Sequence, residues 1–182
     1  MVSTERDEEY RTYVVARRAS LVRTATFLAC GDHHVAEDLV QTALMRMYVA
    51  WPRVRKDTVD AYARKALVNA LIDTRRRGFA RHEYSRADLP DVVALEPPVP
   101  TDTEHAVFAA LAALPARMRA AVILRHLSEL SVAQTAEALG CSEGTVKSQT
   151  SRALDQLRDS LTAAGLPIGA RSIDEPATAR TS

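Results

Sequence analysis

The sequence predicts an all-α protein: two small helical domains joined by an extended linker. Three observations carry this. Apolar residues recur at spacings of three and four through most of the chain, the period of one helix face. Only six Gly occur in 182 residues and aromatics are 5%, while Ala and Leu abound, which suits closely packed helices. Four prolines (Pro90, Pro97, Pro98 and Pro100) crowd the stretch where the helical pattern stops, and proline fixes φ and removes a donor. A hydrophobic content of 47% suffices for packed cores.

The first domain is expected over residues 1–80, with three helices. One runs from about Glu8 to Cys30, with Tyr13, Ala16, Leu21, Ala25 and Leu28 broadly on one side, and Gly31-Asp32 breaks it. The next runs from about His34 to Trp51, with Val35, Leu39, Ala43, Met47 and Trp51 in an i, i+4 row, and Pro52 stops it. Its early acids Glu37 and Asp38 suit the positive end of the helix dipole. The third runs from about Thr58 to Arg77, with Ala61, Leu67, Val68, Leu71 and Ile72 as its apolar face. Residues 64–77 hold five cations (Arg64, Lys65, Arg75, Arg76, Arg77) against one acid, Asp73. Such a run is either a solvated helix end or a surface that follows a phosphate backbone. Trp51 closes an apolar row and reads as core, although Trp51 and Tyr62 could also face an unstacked base.

Residues 81–103 read as an acidic, proline-rich linker. The second domain is expected over 104–163. Asp102 or Thr103 caps a helix through Leu114, with Val107, Leu111 and Leu114 inward, and Pro115 suits the start of a helix from Ala116 to Leu127. Val132, Ala136 and Leu139 then line a short helix that Gly140 ends. Ser142 N-caps a last helix, in which Val146, Ala153, Leu154, Leu157 and Leu161 form the apolar stripe. Residues 164–182 are expected to form a disordered tail.

The spacing of small Ala136, Gly140 in the turn and Val146 is what a helix-turn-helix needs. An ordinary αα-hairpin satisfies it too. The polar outer face favours DNA, because Lys147 and Arg152 can meet phosphates and Ser148, Gln149 and Ser151 can meet base edges.

Leu114-Pro115, Arg125, Ser131, Ala136, Leu139-Gly140, Ser142, Gly144-Thr145-Val146-Lys147-Ser148, Arg152-Ala153 and Leu157-Arg158 together resemble region 4 of the extracytoplasmic-function sigma factors. These are small σ70-type promoter-recognition subunits of bacterial RNA polymerase, and the chain is most similar in form to short actinobacterial-type members. Asp38-Leu39-Val40-Gln41 resembles the family's region 2.2. Ala50-Trp51-Pro52-Arg53-Val54, Ala61-Tyr62, Arg64-Lys65, Asn69, Ile72-Asp73 and Arg75-Arg76-Arg77 continue the resemblance through regions 2.3 and 2.4.

The resemblance implies a set of roles. Asp38, Leu39, Val40 and Gln41 would dock on the β′ clamp of core polymerase. Tyr62, Arg64, Lys65, Asn69, Arg75, Arg76 and Arg77 would melt and read the −10 element. Ser142, Thr145, Lys147, Ser148, Gln149 and Arg152 would read the −35 element, with this module leaning on the β flap. The linker would thread the RNA exit path. Promoter DNA and the polymerase core are the implied partners, and an anti-sigma factor is a further partner the family allows. Many members carry a basic residue after the Lys-Ser pair, where this chain has Gln149-Thr150. Gln pairs bidentately with adenine and Arg favours guanine, so specificity is expected to depart from relatives here.

Two other classes predict features that the sequence lacks. A one-component or response-regulator transcription factor would need a sensor or receiver domain upstream. An enzyme would need convergent titratable residues, and no nucleophile–base set, phosphate loop or paired carboxylates appear. Cys30, Asp32, His33, His34, Glu37 and Asp38 invite a metal assignment, but adjacent His33 and His34 cannot both point one way from a helix start. No catalytic residues, metal or cofactor are therefore expected. Two isolated Cys give no disulfide framework, the N-terminus is too polar for a signal peptide, and no apolar run reaches the ~18 residues of a membrane span. A cytoplasmic protein is expected.

Overall fold

Each segment with an apolar period of three and four forms a helix. The computed structural model describes residues 2–81 and 101–166, with side chains over 5–74 and 101–166. The described residues form α1 (Val2–Leu28), α2 (His33–Ala50), a 3₁₀ turn (Trp51–Arg53), α3 (Val59–Arg81), α4 (Asp102–Ala113), α5 (Ala116–His126), α6 (Val132–Leu139) and α7 (Glu143–Ala163). Most of the expected linker and tail, residues 82–100 and 167–182, lie outside the described residues.

Local chemistry sets most boundaries. After α1 the backbone reverses through two positive φ values, Cys30 (56°) and Gly31 (86°). The Gly31 amide donates to the Thr26 carbonyl at 2.9 Å, a bond of the type that closes a Schellman motif. Asp32 then caps α2, accepting from the Val35 amide at 3.0 Å. Pro52 falls inside the 3₁₀ turn that ends α2. Thr101 caps α4 one residue earlier than the sequence suggested, in a capping box with Glu104. The reciprocal Glu104 bond satisfies a second helix-end donor, which favours Thr101 over Asp102. The first helix starts at Val2 rather than near Glu8. Polar Ser, Thr and Glu extend it without an apolar period to reveal them.

In the first domain, Leu21, Ala25 and Leu28 of α1 meet Leu39, Val40, Ala43 and Met47 of α2 and Ala63, Leu67, Val68 and Leu71 of α3, all at most 6% exposed. Ala16 does not join them: it is exposed. In the second domain Leu111, Leu114, Ala120, Ile123, Leu124, Leu139, Val146 and Ala153 are buried.

The two cores form a single hydrophobic cluster. α5 packs on α1 and α3, and α6 packs on α3. Phe27 and Phe108 meet edge-on with centroids 5.5 Å apart, a favoured aromatic geometry. The Arg119 guanidinium, 3% exposed, donates to Cys30 Sγ at 2.7 Å and to the Leu111 carbonyl at 3.3 Å. The hydroxyls of Thr24 and Ser128 lie 3.4 Å apart.

Candidate nucleic-acid interface

The second domain builds its candidate surface from α6, the turn at Gly140 and α7. A capping box starts α6: Ser131 Oγ accepts from the Gln134 amide, and Gln134 returns a bond to the Ser131 amide. Gly140 ends it with φ 61°, ψ 45°, the left-handed region that glycine enters without strain. Cys141 donates to the Ala136 carbonyl at 3.0 Å, closing the turn. Arg125 at the end of α5 donates to the Leu130 carbonyl, which fixes the segment leading into α6.

Ser142 then caps α7, accepting from the Thr145 amide at 3.1 Å. Val146 and Ala153, both 0% exposed, anchor α7 against the core. The opposite face is outward, with Lys147, Ser148, Ser151 and Arg152 exposed. A two-cation face beside a helix N-terminus, whose free amides favour anions, has the chemistry to meet a phosphate backbone, with hydroxyls between the cations.

Gln149 does not share that face. It is half-buried, and its Oε1 is buried without a hydrogen-bond partner. Thr150 is 9% exposed. At 100° per residue, Gln149 sits on the flank of α7 and Thr150 on its core side. The expected shift of specificity at Gln149 therefore requires that side chain to turn outward. Thr145 is half-buried, whereas Ser142 is exposed.

In the first domain the residues suggested for DNA split across α3. Tyr62, Lys65 and Asn69 fall within about 60° of one another around the helix, while Arg64 lies about 160° from Tyr62. Asn69 is exposed, and Tyr62 and Lys65 are half-buried. Arg64 instead lines a small cleft towards α1 with Tyr13, Arg17 and Asp60. There Tyr13 donates to Asp60 at 3.0 Å. Burial first, then this bond, pushes the Tyr13 phenol above its ordinary pKa, so it stays a neutral donor. Arg75, Arg76 and Arg77 continue α3, and their side chains lie outside the described residues.

Trp51 is divided between core and surface. It is half-buried, with Tyr10 and Tyr13 ring centroids at 5.2 and 5.4 Å. Its remaining surface lines an open groove of about 700 Å³ with Pro52, Val54 and the acids Glu5, Glu8 and Glu9. Lys56 closes one side with a 2.8 Å ion pair to Glu9. Of its acidic wall only Glu5 precedes the helix start expected near Glu8; the groove itself joins α1 to the Trp51–Val59 segment, a pairing that no local spacing encodes.

The Asp38–Gln41 stretch also divides. Leu39 and Val40 are each 1% exposed and belong to the core, whereas Asp38 and Gln41 are exposed. The surface they begin continues along α2 to Met45 (71% exposed) and Val49 (79%). Exposed apolar residues at this spacing are the signal that could have completed the surface from sequence.

Among the described residues no group of three or more His, Cys, Asp or Glu could hold a metal ion, and no helix is long and apolar enough to cross a membrane.

Comparison with known proteins follows the same division. Residues 13–80 match the family described as sigma-70 region 2, and residues 104–157 match sigma-70, region 4. The chain is 37% identical over 177 residues to an RNA polymerase sigma-E factor of Streptomyces coelicolor, covering 92% of this chain and 94% of that protein. An ECF RNA polymerase sigma factor SigE of Mycolicibacterium smegmatis is 33% identical over 155 residues, 81% of this chain and 60% of that one. Among solved structures, the sigma factor RpoE from Bartonella quintana, in complex with the anti-sigma factor NepR, aligns with a TM-score of 0.70 at 27% identity. That alignment covers 85% of this chain and 98% of the other.

Proposed function

This chain belongs to the sigma-70 family, as an extracytoplasmic-function sigma factor that takes part in promoter recognition by RNA polymerase, and we propose a division of that work among its residues. The −35 element is read by the outer face of α7: Lys147 and Arg152 hold phosphates, and Ser142, Ser148 and Thr145 approach bases, with Gln149 at the flank. The −10 element is read by the Tyr62–Lys65–Asn69 stripe of α3 and by Arg75, Arg76 and Arg77 beyond it. A base stacked on Tyr62 contributes ~1–3 kcal/mol. Arg64 supports this surface from the α1 side.

Core polymerase docks on the outer face of α2 through Asp38, Gln41, Met45 and Val49, with Leu39 and Val40 holding that helix in place. The β flap takes the second domain. The work is done by binding, not by catalysis in this chain, and needs no cofactor. It takes place where RNA polymerase acts, in the cytoplasm. An anti-sigma factor is a further partner, by analogy with the Bartonella protein, which was solved bound to one.

The observation that carries this reading is the exposed Lys147–Ser148–Arg152 face on a helix fixed by the Gly140 turn. The chain with core polymerase should start transcription at a cognate promoter. Absence of core binding in a pull-down would end the reading. Lys147→Ala with Arg152→Ala should weaken −35 binding and leave core binding intact. Each lost phosphate contact should reduce the slope of log affinity against log salt by about 1.

A further inference from the structure

We propose that the groove between the start of α1 and the Trp51–Val59 segment is a docking site for an extended, arginine-rich peptide segment of a partner protein. None of the residues that line it belongs to the two DNA-reading faces or to the outer face of α2.

The groove measures about 700 Å³, and Trp51, Pro52, Val54, Val59 and the Tyr13 ring give it an apolar lining. The α1 side supplies Glu5, Glu8, Glu9 and Thr12. Spacings of three and four place these on one helix face. The row is ~10 Å long, the rise of about three residues of extended chain.

Two cations also line the groove, and both are already matched. Lys56 pairs with Glu9 at 2.8 Å. Arg6 pairs with Asp7 at 3.6 Å and lies over the Tyr48 ring, 5.4 Å from its centroid. Glu5 and Glu8 are exposed, and no ion pair engages either of them among the described residues. The bond to Glu9 first, then the charges of Glu9 and Glu5, raise the Lys56 ammonium above its ordinary pKa. The edge of the groove thus already favours a cation. An arginine side chain suits both features, because its guanidinium forks onto a carboxylate and stacks on an aromatic face. A phosphate backbone suits neither: it would bring anions close to three carboxylates.

The chain's own outlying segments lack this chemistry. Residues 82–100 set Arg86 against Glu83, Asp88, Asp91 and Glu96, and residues 167–182 balance Arg171 and Arg180 with Asp174 and Glu175. The occupant is therefore a segment of a different protein.

The test uses the full chain and a capped Arg-Leu-Arg-Leu-Arg peptide at low salt, with Glu-Leu-Glu-Leu-Glu as control. Anisotropy of the fluorescein-labelled peptide gives affinity. Emission of Trp51, the chain's one tryptophan, with unlabelled peptide gives location. The basic peptide should bind and shift the Trp51 emission, and the acidic one should do neither. Glu5→Gln with Glu8→Gln should weaken binding roughly five-fold or more, two exposed ion pairs being lost, and leave the melting temperature unchanged. Lys56→Ala, which releases Glu9, should tighten binding. No binding of the basic peptide, equal affinity in the double Gln variant, or weaker binding in Lys56→Ala would each overturn the proposal. A single-stranded oligodeoxynucleotide that shifts Trp51 emission and displaces the peptide would give the groove to nucleic acid instead. A dimer of the chain that the double Gln variant dissociates, seen by sedimentation, would give it to a second copy.

Discussion

Gly140 illustrates how one residue's conformation is read from sequence and its energy from structure. Its position after Leu139 predicted a helix stop, and its φ of 61° is the reason. A Cβ built there meets nothing within 4 Å. Gly140→Ala should therefore cost only the left-handed backbone penalty, ~1–2 kcal/mol, measured as a shift in the denaturant midpoint. A much larger loss would mean a steric contact the geometry lacks. Gly31 differs: its φ is 86° and a Cβ would approach Phe108 Cδ2 to 2.6 Å. Leu39 and Val40 show the limit of motif reading, because the same four-residue run contains two exposed and two core positions. Only a neighbouring helix distinguishes them.

At the scale of the element, caps and outer faces decide behaviour. Glu104 at the start of α4 accepts from the Thr101 amide and hydroxyl. The backbone bond first, then the side-chain bond, hold its carboxyl below the ordinary value of 4.5. A depressed carboxyl contributes stability that is fully present above the unfolded pKa and is lost as pH falls through the folded one. The stability difference between the native chain and Glu104→Gln should thus shrink on acidification below about pH 4.5 and stay constant above it. Thermal unfolding across that range measures this, and a gap that widened on acidification would contradict it. On α2, Met45 at 71% exposure contributes little to the core. Met45→Asp should leave the melting temperature within about 2 °C, since surface changes stay within ~0.5 kcal/mol. It should reduce core-polymerase capture at least ten-fold. Undiminished capture would move the docking face elsewhere.

For the whole molecule, the shared cluster is the dominant fact. Leu28 of α1 is fully buried in the cluster that joins both domains. The chain's one tryptophan, Trp51, reports the first domain, and far-UV circular dichroism reports every helix. If the domains share a core, the two transitions should coincide. Leu28→Ala should lower both together by ~2–5 kcal/mol. A dichroism transition that split from the Trp51 transition would show domains unfolding independently.

The sequence by itself determined the helices, most of their inward faces, the stops at Gly31, Pro52 and Gly140, and the Ser142 cap. These follow from period, punctuation and capping, all of which act over a few residues. The tertiary structure decided what needs a neighbour. It buried Leu39 and Val40 while exposing Asp38 and Gln41, turned Arg64 towards α1 and drew Gln149 to the flank of α7. It exposed Ala16 on a helix longer than its apolar pattern. It also set α6 against Tyr62 and Lys65, a pairing between residues some seventy positions apart. Side chains far apart in sequence carry no mutual spacing, so no periodicity encodes their contact; it arises only when two apolar faces find each other in three dimensions.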